Sequence, residues 1–145
     1  MNDFAHEAPG LLFSLPMPMA RVFGLRGEAI GEDRARVRMG YHPDHTNSRG
    51  EVHGGAIASL MDCALACAVR SHDPTQFGVA TIDLTLHFVA PGAGDVIATA
   101  ACERRGRSIS FARGEARSAD GTLLALASGT FKLVPRTPSA PEQPT

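Results

Sequence analysis

The chain carries almost no net charge: 14 Lys and Arg stand against 15 Asp and Glu, a formal net charge of -1. No global basic field therefore recruits nucleic acid or an anionic membrane, and an anionic ligand must be held by a local cluster of positive groups. Long apolar runs are also missing. The longest fall far short of the ~20 residues needed to cross a bilayer. The opening MNDFAHEAPG has no basic stretch followed by an apolar one, so no secretory signal is expected. Cysteine is sparse, with only Cys63, Cys67 and Cys102 and no CxxC pair. That pattern favours small buried thiols in a reducing cytoplasm over a disulfide or a metal site. No GxGxxG or Walker-type loop occurs, which argues against nucleotide hydrolysis and hydride transfer. There is no internal repeat.

What remains is an ordinary globular composition, 145 residues with 43% hydrophobic and 20% charged, which suits one domain with one core. Residues 1–20 are rich in Pro and Met, and the apolar run Leu11 to Leu15, ended by Pro16, suggests a short helix of a turn or two. From Arg21 the pattern turns extended: VFGLRGEAI and ARVRM read as two strands joined near Gly31-Glu32-Asp33. A polar loop, YHPDHTNSRGEVHGG, follows and is too long for a hairpin turn. Ala56 to Val69 then has neither Gly nor Pro and predicts a helix, apolar nearly all round and hence buried. His72-Asp73-Pro74 ends it.

Four further strands follow. In the first, VATIDLTLHFVAP, strict alternation places Ala80, Ile82, Leu84, Leu86 and Phe88 on one face and Thr81, Asp83, Thr85 and His87 on the other. Arg105-Gly106-Arg107 and Asp120-Gly121 mark hairpins between the later strands. The expected domain spans residues 21–134, and the Pro-rich tail, 135–145, is expected to be disordered. The order β-β-α-β-β-β-β is an α+β arrangement, an antiparallel six-stranded sheet wrapped around one helix.

Asp62 is the unusual residue of that helix. A carboxylate among apolar side chains is unfavourable unless it is paired, solvated or functional. It reads either as part of a surface stripe with Ser59 or as a working general base. Gly54 and Gly55 open the helix and let a ligand atom approach backbone N–H groups that lack intrahelical partners, at the positive end of the helix dipole. Such donors suit a carbonyl oxygen that becomes negative in a tetrahedral transition state, although a Gly pair also simply lets a loop enter a crowded core. Gly55 and Asp62 are seven positions apart. They lie near one face but ~10 Å apart along the axis, so one carbonyl cannot touch both within a single chain. Either they do different jobs, or two antiparallel copies of the helix share the site across a two-fold axis. The second is preferred because isologous dimers are the commonest assembly. His42, Asp44, His45 and His53 match no trusted zinc spacing, so no metal or other cofactor is expected.

The string HTNSRGEVHGGAIASLMD resembles the signature H-x-N-x-x-G-x-x-HGG-x6-D of hotdog-fold acyl-CoA thioesterases, in the PaaI-like (phenylacetic acid degradation-type) branch. Thr81 with Asp83, the FVAPGAGD turn, ERRGRS and DGTLLALASGTF fit as well, so the resemblance covers about Val22 to Val134. It implies a hotdog fold assembled as a homodimer or homotetramer and acting on acyl-CoA, in the cytoplasm that the sparse cysteines and the missing secretory signal suggest. Asp62 would activate water or attack the thioester itself, and Gly55 N–H would polarise the carbonyl from the opposite subunit. Asn47 would hold the water or thioester region, Thr81 would orient the water, and His53 would order the site. Gly50 would permit the loop's turn, and Gly54 would border the substrate. Arg104, Arg107 and Ser108 would lie near the nucleotide end of CoA, although a solvated charged hairpin explains them equally well. Two rivals are an acyl-thioester hydratase or dehydratase, for which no Asp/His pair is seen on the helix, and a non-catalytic acyl-CoA-binding hotdog protein. The acyl group, aromatic or medium-chain, depends on how Phe23, Leu65, Phe77 and Phe88 face.

Overall fold

The computed structural model describes Phe4 and residues 6–136, so most of the expected tail, residues 137–145, lies outside the described residues. The chain opens with a two-stranded hairpin, β1 (Leu11–Leu12) and β2 (Leu15–Pro16), followed by a short helix, α1 (Pro18–Phe23). The apolar run at Leu11 to Leu15 is thus a hairpin rather than a helical turn. Phe13 and Ser14 both take positive φ, +50° and +70°, as a two-residue hairpin turn requires. The Glu7 carboxylate accepts the Phe13 N–H at 2.8 Å, and the Phe13 ring is buried over Gly27, where a Cβ would come within 2.6 Å of it. The short helix instead starts at Pro18, a proline in its first turn, and is capped by Gly24 with φ +63°. The first long strand therefore begins at Leu25 rather than Val22.

The remaining elements are β3 (Leu25–Gly31), β4 (Arg34–Met39), a 3-10 turn at Pro43–His45, α2 (Gly54–Val69), β5 (Phe77–Phe88), β6 (Val96–Arg105), β7 (Ser110–Ser118) and β8 (Leu123–Pro135). The six long strands form one antiparallel sheet in the order β3-β4-β6-β7-β8-β5, and α2 lies against all six. This is the hotdog arrangement expected from the sequence.

Ten residues of α2 are buried, with Leu60, Met61 and Leu65 at 0% exposure. Burying each of those three contributes about 1.5–3 kcal/mol. The side of α2 left partly open runs through Gly55, Ala58, Ser59, Asp62 and Ala66. That spacing of three to four residues makes one stripe, composed of small side chains and one carboxylate.

The far end of α2 is closed by arginines. Arg70, only 2% exposed, donates to the carbonyls of Pro74 and Leu12 and so ties the helix to the N-terminal hairpin. Arg105 donates from Nε to Val69 O at 3.0 Å and pairs with Asp33 at 2.7 Å. A cation at this terminus complements the helix dipole. Arg105 reaches inward because β6 bulges between Cys102 and Arg104.

The three cysteines sit in this core. Burial pushes the Cys63 thiol up to about 12, with Cys67 and Asp62 adding to the rise. Burial raises Cys67 and Cys102 as well. Only the thiolate alkylates readily, so the native protein at pH 8 is expected to resist iodoacetamide at all three positions and to take up three groups once unfolded. Intact-mass spectrometry reads both states, and rapid native labelling would contradict a closed core.

Candidate active site

The motif loop is organised by Asn47. Its side-chain oxygen accepts the N–H groups of Arg49 at 2.9 Å and Glu51 at 3.2 Å. Two backbone donors on one oxygen assign the amide orientation and leave the NH2 end, without a partner among the described residues, at the edge of a cleft of about 420 Å³. Gly50 turns the loop at φ +76°, the left-handed region that glycine enters without strain. The opposite wall of the cleft is apolar, formed by Ile57, Phe88 and Val89. Phe88 lies so close over Gly54 that a Cβ there would sit 3.3 Å from its ring.

His53 is the N-cap of α2. Its Nδ1 accepts the Gly55 N–H at 2.7 Å, and its own carbonyl accepts the N–H groups of Ala56 and Ile57. An accepting Nδ1 places the proton of the neutral ring on Nε2. The Gly55 N–H expected to polarise a carbonyl is thus occupied by His53, whereas the Gly54 N–H has no partner among the described residues. His45 and His42 have local partners: His45 Nε2 meets Val22 O at 3.0 Å, and His42 Nδ1 accepts the Asp44 N–H.

Asp62 is half-buried on the open stripe of α2, and the Thr81 hydroxyl donates to its Oδ1 at 2.7 Å. This contact needs Thr81 to face the helix, which strict alternation along β5 does not give. A bulge between Thr81 and Asp83 resets the pattern: Thr81 pairs with Phe131 and Asp83 with the next residue, Thr130. Leu84 and Leu86 pack on the core after the bulge, with Phe88 on the same side over Gly54, and Val79 packs on the core before it, with Thr81 on that side reaching Asp62. The expected assignment of Thr81 to the outer face, with Ala80 and Ile82 opposite it, is therefore corrected. Nothing in the alternation betrays the extra residue.

Two groups of expected site residues stand apart within one chain. Asn47, His53, Gly54 and Gly55 gather at the start of α2, and Asp62 with Thr81 lies about two turns along, ~10 Å away. Arg104, Arg107 and Ser108 are exposed at the β6–β7 hairpin, whose neighbour Arg105 grips the opposite end of the helix. Of the four residues offered as setting acyl depth, Leu65 is core, Phe23 lies against His45, Phe77 stacks on His72, and Phe88 lines the cleft.

A family model described as the thioesterase superfamily matches residues 49–125, a span that holds Gly50, His53, Gly54, Gly55, Asp62, Thr81 and the Arg104–Ser108 hairpin. A Halobacterium salinarum protein carried under a provisional esterase name is 35% identical over 121 residues, covering 76% of this chain and 80% of that protein. The solved structure of conserved protein PA5202 from Pseudomonas aeruginosa is similar with a TM-score of 0.76 at 28% identity, over 80% of this chain and 93% of that one. The E. coli PaaI protein from the phenylacetic acid degradation operon is similar with a TM-score of 0.73 at 26% identity, over 80% of this chain and 83% of that one. In fold, motif and relatives alike, the chain belongs to the thioesterase superfamily, as a hotdog-fold hydrolase of acyl thioesters.

Proposed function

We propose that the protein hydrolyses acyl-CoA to the free acid and CoA in the manner of the PaaI-like branch, with Asp62 as the reacting carboxylate. The Thr81–Asp62 hydrogen bond carries this reading, because it fixes a carboxylate on the one open stripe of the central helix. The Thr81 hydroxyl occupies Oδ1 and leaves Oδ2 to react. As a base, Oδ2 takes a proton from water while the water oxygen bonds to the carbonyl carbon; the C–S bond then breaks and the thiolate receives that proton. As a nucleophile, Oδ2 itself bonds to the carbonyl carbon, the thiolate leaves, and water opens the mixed anhydride.

The developing oxyanion is received by N–H donors at the start of α2, Gly55 with Gly54 beside it, and by the Asn47 NH2. Gly55 becomes available when the His53 imidazole turns off it, which makes His53 an ordering residue and not the base. Because one carbonyl cannot reach Asp62 and its own Gly55, the site is shared by two copies in an isologous dimer. The small residues Gly55, Ala58, Ser59 and Ala66 beside Asp62 support close approach of a second helix. An antiparallel second copy also carries its Arg104, Arg107 and Ser108 toward the first copy's Gly54-Gly55 end, where the CoA phosphates need positive charge. The Ile57–Phe88–Val89 wall supports an aromatic or medium-chain acyl group. No metal or cofactor enters this reading.

The test is a thiol-release screen over aryl-acetyl, hydroxylated aromatic and medium-chain acyl-CoAs. At least one is expected to reach a kcat/KM of about 10⁴ M⁻¹s⁻¹ or more. A panel on which no member is hydrolysed above the buffer rate overturns the assignment.

A further inference from the structure

We infer that Asp83 is a positioning residue for the reaction, holding the β5 bulge that turns Thr81 onto Asp62; this rests on the catalytic reading of Asp62. Between Thr81 and Asp83 the strand gains one residue relative to β8, so Ile82 has no partner across the ladder and is 53% exposed. An extra residue of this kind disrupts the ladder and re-aims its neighbours. Were Ile82 instead paired in a regular ladder, the alternation set by Leu84, Leu86 and Phe88 would send Thr81 outward, away from α2.

Two features hold the bulge. The Asp83 carboxylate accepts the Thr130 N–H at 3.1 Å, taking up a β8 amide that a regular ladder would pair with a backbone carbonyl. Gly129 makes room, since a Cβ there would lie 3.0 Å from Asp83 O and 2.8 Å from the Phe131 ring. Asp83 does not touch Asp62; it acts through Thr81, whose hydroxyl orients the reacting carboxylate. A small misplacement of such a pair is enough to slow turnover by up to ~10²-fold.

The experiment measures kcat and KM on the best acyl-CoA of the panel, with thermal unfolding as a control, in two settings. In the full-length chain, Asp83→Ala is expected to lower kcat about tenfold or more with little change in KM, and Asp83→Asn, which keeps an accepting oxygen, to restore most of it. In a Thr81→Ala background, Asp83→Ala is expected to add nothing. Deleting Ile82 supplies an independent arm. The deletion makes Thr81 and Asp83 consecutive opposite Phe131 and Thr130, keeps Thr81 inward with a regular ladder, and is expected to leave kcat insensitive to Asp83→Ala.

An unchanged kcat in Asp83→Ala overturns the inference. So does an equal further loss in the Thr81→Ala background, which would mark a general structural effect. Asp62→Asn measured alongside separates the two readings. If it stays active, the catalytic assignment fails; if it is inactive while Asp83→Ala is unaffected, only the positioning role fails.

Discussion

An Asp62→Asn protein is expected to keep its fold and lose about 10²–10⁴-fold in kcat, the range over which a positioned acid or base contributes. Asparagine has nearly the same shape and still offers an oxygen to the Thr81 hydroxyl that now donates to Oδ1. It cannot take a proton from water at neutral pH or form the mixed anhydride, so both chemical routes stop together. KM is expected to change little, because Asp62 is assigned to the reacting centre and not to the CoA arm. Stability is the control: removing a charge from a half-buried helix position removes a desolvation penalty, so the variant should unfold at least as late as the wild type. Comparable thiol release by the two proteins across the acyl-CoA panel would sink the mechanism.

The second large effect is a recovery. Gly55→Pro deletes one backbone N–H within the first turn of α2, where proline is tolerated. It also removes the bond now made to His53 Nδ1. If Gly55 and Asp62 of different copies build each site, Gly55→Pro and Asp62→Ala homodimers are both inactive. A heterodimer then has one site carrying both lesions and one carrying neither. Unfolding and refolding an equal mixture makes half of the dimers hybrid, so about a quarter of wild-type activity should return. No recovery, with hybrid dimers verified by native mass spectrometry, would place the whole site within one chain.

The helix was legible because Ala56 to Val69 carries neither Gly nor Pro and is apolar on every side; the structure extends it only to Gly54. The six strands and their antiparallel sheet followed from period-two patterning and hairpin turns, which act over a few residues, whereas the order that sets β4 beside β6 and β5 beside β8 came only from the structure. The motif residues were also legible, because loop turns and caps are local: Gly50 takes a positive φ and His53 caps the helix it precedes. Where a long-range partner intervened, local reading stopped. The Leu11–Leu15 run became a hairpin because Glu7 and Gly27 hold Phe13 in place. Arg105 left the expected charged hairpin to grip the end of α2 because β6 carries a bulge.

Asp62 shows the division most sharply. The sequence by itself determined that a carboxylate sits in an apolar helix, in register with Gly55 but too far along the axis to serve the same carbonyl, since rise and period are properties of any α-helix. Tertiary structure alone decided what orients that carboxylate. Thr81 reaches it only through a one-residue slip against β8, and the slip depends on Asp83 and Gly129, more than forty positions apart in the chain, meeting across two strands. Side-chain parity in a strand is set by pairing with its neighbour, so no pattern within β5 could reveal which way Thr81 points.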